Sequence, residues 1–222
     1  MIDLDLTGRA RGLLGAFPTE FLNLERDEQV ASVALYRLLA AGCPVDPQRL
    51  AAAVGIPVQR IGEMLDGWPG VYRDDGGGVV GYWGLGLAEM DHRFEVVGGC
   101  ELFTWCAWDT LFIPEILGKA ARVRSACPVS GLEIRLMVTP TGIEGVEPAG
   151  TSVSFLRPED GKISEDVIGN FCRYVHFFCS EEAGLEWSAE YDGTFVLSLQ
   201  EAYHIGKVKN LLQYGEGLFA GG

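Results

Sequence analysis

Val71-Tyr72-Arg73-Asp74-Asp75-Gly76-Gly77-Gly78-Val79-Val80-Gly81-Tyr82 marks the point where the chain changes its periodicity. Two short β-prone runs flank a glycine-rich tip, the pattern of a hairpin. Upstream, the apolar spacing is helical. Val30, Val33, Ala34 and Leu38 share one face from Asp27 onward, and Gly42 with Pro44 stops that helix. Asp46 is placed to cap a second helix with Pro47 at its first position, running through Leu50, Ala53 and Val54 to Gly55. Val58 to Leu65 predicts a third, broken by Gly67 and Pro69. Residues 1–22, interrupted by Gly8, Gly12, Gly15 and Pro18, read as a short helix or an arm. Three helices and a hairpin make a winged-helix-like unit.

Downstream of Gly84 the chain turns to strands. Arg93 to Val97 alternates, and Leu102-Phe103 is expected to continue that strand across Gly98-Gly99. Thr104 is placed as the N-cap of a short helix holding Cys106 and Asp109, limited by Pro114 and ended by Gly118. Ala121 to Arg124, Leu132 to Thr139, Ser152 to Leu156 and Thr194 to Leu199 read as strands. Residues 158–169 read as a polar connection with room for a short helix. Asn170 to Phe178 alternates most clearly and is expected to be a strand. Ser180 with Glu181 and Glu182 opens a helix through Leu185 and Trp187, and Glu201 to Tyr214 forms a closing helix. The expected fold class is α+β. A helical, winged-helix-like domain over residues 1–83 precedes a mixed or antiparallel sheet domain with helices over 84–222.

The bulk properties narrow the function classes. A chain of 222 residues with 48% apolar content buries a real core. Its net charge of −14 repels nucleic acid and anionic lipid. The helical unit, residues 1–83, carries seven arginines against eleven acids, and Arg60 is the one base between Gln59 and Asp66. Phosphate contacts need several bases, so DNA binding is disfavoured despite the winged-helix pattern. No apolar run spans a bilayer, and the N-terminus carries acids where a signal peptide carries bases. A cytoplasmic location is therefore expected. In that compartment Cys43, Cys100, Cys106, Cys127, Cys172 and Cys179 are expected as thiols, and no C-x-x-C pair points to a zinc ribbon or thioredoxin-type site.

The chemistry concentrates in Thr104-Trp105-Cys106-Ala107-Trp108-Asp109-Thr110 and Phe171-Cys172-Arg173-Tyr174-Val175-His176-Phe177-Phe178. On a helix, Cys106 and Asp109 share a face. In a first helical turn, unpaired N–H groups would favour the Cys106 thiolate. An acid among Trp105, Trp108 and Phe112 is costly to bury without a role, and apolar surroundings would raise its pKa towards a proton donor. The competing readings are a structural cysteine and an acid that caps a segment or pairs with an arginine. On a strand, Cys172, Tyr174, His176 and Phe178 share one face, but either face could be core. Spacing alone leaves Cys106 and Cys172 as candidates to meet; two thiols and an acid together suit a soft metal with a proton delivered beside it.

These two stretches, with Ala121-Arg122-Val123-Arg124-Ser125-Ala126-Cys127-Pro128 and Val146-Glu147-Pro148-Ala149-Gly150 between them, resemble the organomercurial (alkylmercury) lyase family. The matches are collinear over about residues 27–212. The resemblance implies protonolysis of a carbon–mercury bond to hydrocarbon and Hg(II). It implies Cys106 and Cys172 as the thiol ligands of mercury, Asp109 as the third catalytic residue, and Cys127 as a structural cysteine. Some relatives carry a further cysteine where Arg173 stands here. Mercury is substrate and product in such a reaction, so no cofactor is expected. The expected partners are a small organomercurial, low-molecular-weight thiols and, by hand-off, a mercuric reductase; nucleic acid and membrane are not. Cys43, Cys100 and Cys179 match no motif and read as packing or incidental thiols. His92 and His176 read as satisfied core histidines.

Two rivals remain at this level. A non-enzymatic binder of mercury or copper, or a metal-responsive regulator, would use the cysteines but not Asp109. A cysteine hydrolase would pair Cys106 with His176 or His204 as base.

Overall fold

The computed structural model describes residues 24–157 and 166–215. The arm expected over residues 1–22, and residues 158–165 of the polar connection, lie outside the described residues.

Helix α1 (Arg26–Leu39) opens with a reciprocal capping box between Glu25 and Glu28 and buries Ala31, Val33, Leu35, Tyr36 and Leu39. Helix α2 (Pro47–Val54) starts where Asp46 accepts the Arg49 N–H at 2.7 Å and ends at Gly55, φ +71°. Helix α3 (Val58–Gly67) buries Ile61, Met64 and Leu65. The hairpin follows: β1 (Val71–Arg73) pairs antiparallel with β2 (Val79–Tyr82). Asp74 Oδ1 holds its tip by accepting the Gly76 and Gly78 N–H groups, each at 2.9 Å.

The hairpin is one edge of a larger sheet. It continues through β3 (Leu85–Gly86), β4 (His92–Val96), β5 (Glu101–Thr104), β6 (Ala121–Ala126), β7 (Glu133–Thr139) and β8 (Gly142–Glu147). The order is β1-β2-β3-β5-β4-β6-β7-β8, so one sheet runs across the position where the composition changes. A second sheet, order β10-β9-β11, comprises β9 (Ser152–Leu156), β10 (Phe177–Phe178) and β11 (Thr194–Ser198). All strand pairings among the described residues are antiparallel. The α+β class is as expected from the sequence, and no described helix is long and apolar enough to cross a membrane.

Three expectations are corrected. Leu102-Phe103 does not continue the strand of Arg93 to Val97: the chain reverses at Gly98, φ +73°, and Phe94 faces Leu102 on the antiparallel partner. Thr104 ends β5 rather than capping a helix, and the helix α4 (Asp109–Leu117) begins only at Asp109. The stretch Asn170 to Phe178 is not one strand. It is the end of a short helix α5 (Val167–Asn170), a 3-10 turn over Cys172–Tyr174, and the two residues of β10. Ser154 lies where the ladder ends. Its N–H donates to the His176 carbonyl at 3.0 Å, and its hydroxyl donates to the Tyr174 carbonyl at 2.7 Å and accepts the His176 N–H at 3.0 Å, so a side chain takes part in the pairing there. Strand β8 was not anticipated; its two glycines and the lack of any buried residue hide the alternation.

Helix α4 has no solvent-facing side over most of its length. Asp109, Thr110, Leu111, Phe112, Ile113, Pro114, Ile116 and Leu117 are all buried, so the helix is enclosed rather than amphipathic. Helix α6 (Glu181–Ser188) has the expected cap, Ser180 accepting the Ala183 N–H at 3.2 Å. Helix α7 (Leu199–Tyr214) lies against α4 so closely that a Cβ on Gly206 would come within 2.8 Å of Phe112 Cβ. Trp108 Nε1 donates to the Ala202 carbonyl at 3.0 Å, and Asn210 Nδ2 to the Phe112 carbonyl at 3.0 Å. Helix α7 therefore braces the element that carries Asp109.

The start of α7 is set by a capping box. Glu201 donates its N–H to Ser198 Oγ at 3.3 Å and returns its carboxylate to the Ser198 N–H at 2.9 Å. Ser198→Ala is expected to lower stability by about 1 kcal/mol. Urea denaturation with an unchanged m-value checks this.

Candidate active site

Cys106 sits in the turn between β5 and α4, with its side chain fully buried. The turn is held by Thr104, whose hydroxyl donates to the Cys106 carbonyl at 3.1 Å, and by Thr110, whose hydroxyl donates to the Ala107 carbonyl at 2.7 Å. Cys106 and Asp109 then cap one another. The Asp109 carboxylate accepts the Cys106 N–H at 2.9 Å, while the Asp109 N–H is directed at the Cys106 sulfur. Both groups are thus fixed by local geometry that spacing of three residues allows.

Cys172 arrives on the 3-10 turn that leads into β10 of the second sheet. The Ala107 N–H donates to the Val175 carbonyl at 3.1 Å and ties the two segments together. Within the 3-10 turn, Tyr174 N–H bonds Phe171 O at 3.0 Å and Val175 N–H bonds Cys172 O at 3.0 Å. The outcome is a buried cluster: one ligand atom each of Cys106, Asp109 and Cys172, all within 4.8 Å of one another. It includes all three residues singled out from the sequence.

The electrostatics differ from the expected picture at Cys106. The residue precedes the helix instead of occupying its first turn. Burial pushes its thiol well above the ordinary range, helped by the hydrogen bond to Cys172 and the Asp109 charge. At Cys172 the hydrogen bond from Cys106 acts downward, but burial and the charges of Asp109 and Asp166 leave the thiol raised. Asp109 behaves as expected: burial raises its carboxyl to about 6, against the hydrogen bonds from Cys106 and the Lys209 charge. The site therefore stores protons on sulfur and holds a carboxylate of raised basicity beside them.

Two contributors went unnoticed in the sequence. Gly84 (φ +93°) presses its backbone onto Asp109; a Cβ there would sit 2.3 Å from Asp109 Cγ and 2.4 Å from Oδ1. The Gly84 carbonyl accepts the Trp105 N–H at 3.0 Å. Its glycine identity was visible, its contact 25 residues away was not. Lys209 is buried on α7 with its amine 4.1 Å from the Phe112 ring centroid, and burial brings its pKa down to about 7 against the pull of Asp109 and Glu115. The closing helix carries two lysines, Lys207 and Lys209, and nothing in the sequence sets the buried one apart.

The aromatic neighbours divide. Trp105 packs edge-on against Tyr72 at 5.1 Å, and Trp108 against Phe112, Phe155 and Phe171 at 5.2, 5.6 and 6.3 Å. Tyr72 is exposed; the other five rings are buried. Tyr174 is only partly buried, beneath the Arg173 guanidinium at 5.1 Å. The histidines stand elsewhere. His176 Nε2 donates to the Arg173 carbonyl at 2.8 Å, His92 Nδ1 shares a hydrogen bond with Ser125 Oγ at 2.8 Å, and His204 is exposed. The buried cluster around Cys106 contains no histidine among the described residues, which removes the geometric basis for a cysteine–histidine hydrolase.

Comparison with known proteins bears on this geometry. A family model described as alkylmercury lyase matches residues 85–209. An alkylmercury lyase of Pseudomonas putida is 39% identical over 192 residues, spanning 86% of this chain and 85% of that protein. One of Staphylococcus epidermidis is 38% identical over 173 residues, 78% of each chain. Among solved structures, a crystal structure of the mercury-bound form of MerB2 superposes with a TM-score of 0.73, covering 91% of this chain and 99% of that one. At 23% identity that likeness speaks for the fold.

Proposed function

We propose, from the premise that the chain belongs to the alkylmercury lyase family, that Cys106, Cys172 and Asp109 carry out the cleavage of the carbon–mercury bond. The observation that carries the assignment is the buried cluster of two sulfurs and one carboxylate. Mercury is a soft cation and prefers thiolate to oxygen or nitrogen donors. An organic group bound to mercury leaves as a hydrocarbon once its carbon is protonated.

The protons are already in place. Cys106 and Cys172 are thiols whose pKa values are raised, and Asp109 is mostly carboxylate at pH 7. As mercury meets the first sulfur, an S–H bond breaks, an S–Hg bond forms, and the proton leaves with the displaced ligand of the organomercurial. The second sulfur then gives its proton to Asp109 and binds. Two thiolates push electron density through mercury onto carbon. The carbon–mercury electron pair takes the proton from Asp109, forming the C–H bond. Hg(II) is left between two sulfurs, and mercury keeps its oxidation state throughout. The buried rings of Trp105, Trp108 and Phe171 exclude water from this step. Solution thiols then exchange with the protein sulfurs to remove Hg(II), directly or towards a mercuric reductase. Incubation with methylmercury and excess thiol tests the assignment: methane and Hg(II) are expected, and methylmercury recovered intact would refute it.

The pH dependence follows from Asp109. Its carboxyl, raised to about 6, must be ionised to accept a thiol proton. Activity should therefore be level above about pH 7 and fall as the pH drops through 6, tenfold per unit below it. Asp109→Asn should lose ~100- to 10,000-fold and also lose this acid limb. The profile of kcat/KM for phenylmercury between pH 5 and 8 decides the point; an acid limb that persists in the asparagine variant would remove Asp109 from the proton path.

A further inference from the structure

We infer that Tyr36, on α1, is a positioning residue: its hydroxyl fixes the turn between β2 and β3, and that turn holds the Asp109 carboxyl in place. The kinetic consequence rests on the role proposed above for Asp109. Tyr36 Oη donates to the Trp83 carbonyl at 2.7 Å, and its side chain is fully buried. The ring tilts against that of Tyr82, with centroids 5.0 Å apart. Burial raises the phenol well above its ordinary range, so the hydroxyl remains a donor at any working pH.

Trp83 is where the backbone needs holding. Its φ is +36°, and it is the one non-glycine residue of positive φ among the described residues. That conformation is disfavoured for a bulky side chain and persists only where the surroundings impose it. Three hydrogen bonds bracket the turn. The Trp83 N–H donates to the Gly70 carbonyl at 3.1 Å, the Trp83 carbonyl accepts from Tyr36, and the Gly84 carbonyl accepts the Trp105 N–H at 3.0 Å. The bond from Tyr36 is the one made by a side chain, and it ties α1 to the turn.

Gly84 transmits the constraint to the site. Its φ is +93°, and a Cβ on it would fall 2.3 Å from Asp109 Cγ and 2.4 Å from Oδ1. The other oxygen, Oδ2, accepts the Cys106 N–H at 2.9 Å. The carboxyl is thus held between the Gly84 backbone and the Cys106 amide. Without the Tyr36 hydroxyl, a buried carbonyl loses a short donor. The turn then relaxes from its strained conformation, Gly84 moves, and the carboxyl follows. The two sulfurs are not on this path, so mercury capture is spared.

Tyr36→Phe removes one oxygen and keeps the ring. Tyr82→Phe is the matched control: it removes a neighbouring buried hydroxyl that donates to Ser32 Oγ at 2.8 Å rather than to the turn. Each variant is followed by phenylmercury kinetics and by NMR of the Cys106 amide in isotope-labelled protein, with circular dichroism as the check on folding. Tyr36→Phe is expected to lower kcat about tenfold, short of the 10²-fold that misplacement by about 1 Å can cost, with KM unchanged. Its Cys106 amide should shift and exchange faster, because the acceptor has moved. Tyr82→Phe is expected to match the unmodified protein in both readouts. Para-aminophenylalanine at position 36 keeps a donor and should restore both. Equal behaviour of the two phenylalanine variants, an unchanged Cys106 amide in Tyr36→Phe, or no rescue by the amine would overturn the inference. Were the unmodified protein to leave phenylmercury intact, the lyase reading would fall, and the amide comparison would still decide whether Tyr36 holds Asp109.

Discussion

Cys172→Ser is expected to lose more than the ~10,000-fold that marks the upper end for a general acid, because it removes the activation of mercury itself. One sulfur captures an organomercurial but leaves the carbon poorly nucleophilic. The second makes the metal electron-rich enough for carbon to take a proton. The serine hydroxyl is a hard donor and does not replace it. Cys172 is buried beside Cys106 and hydrogen-bonded to it, so the substitution changes one atom within an otherwise preserved turn. The variant should still bind phenylmercury through Cys106 while releasing no benzene. Benzene release within tenfold of the unmodified protein would end the two-sulfur scheme.

Gly84→Ala is the second large effect, and it acts through the position of the Asp109 carboxyl. The added Cβ would fall 2.3 Å from Asp109 Cγ and 2.8 Å from Asp109 Cβ, inside any real contact distance. The φ of +93° also disfavours any L side chain there. Strain of this kind costs of order 1–3 kcal/mol. Relief requires the Asp109 carboxyl to move, and with it the 2.9 Å hydrogen bond from the Cys106 N–H. Misplacement by about 1 Å can cost 10²-fold. The expected signature is kcat reduced by about that factor with Hg(II) still held by the two sulfurs. A variant with normal kcat would show that the carboxyl position is not demanding.

The local parts of this fold were legible because local residues decide them. Asp46, Pro47 and Gly55 bound α2, and Ser180 opens α6, through hydrogen bonds within a few residues. The strand Ala121–Ala126 shows strict alternation because one face is core and the other is solvent. Two of the misreadings share a cause: a distant partner. Asn170 to Phe178 reads as alternating in the sequence, but its burial does not alternate, and the Ser154 hydroxyl bonds to Tyr174 and His176 beside a single backbone bond from Ser154 to His176. Cys106 was expected to favour thiolate from its place near a helix start. Contact with Cys172, 66 positions away, and enclosure in the core reverse that. The three site residues were named from motif likeness, not from spacing. Their convergence depends on a bond from Ala107 to Val175 that no periodicity reveals.

The most direct measurement is a single turnover of methylmercury with no added thiol. Methane is followed by gas chromatography and the protein mass by native mass spectrometry. The account predicts one methane per chain and a mass increase of one bare mercury, both lost when Cys172 is replaced by serine. A chain that carries intact methylmercury without methane, or that forms methane with Cys172 replaced, would contradict it.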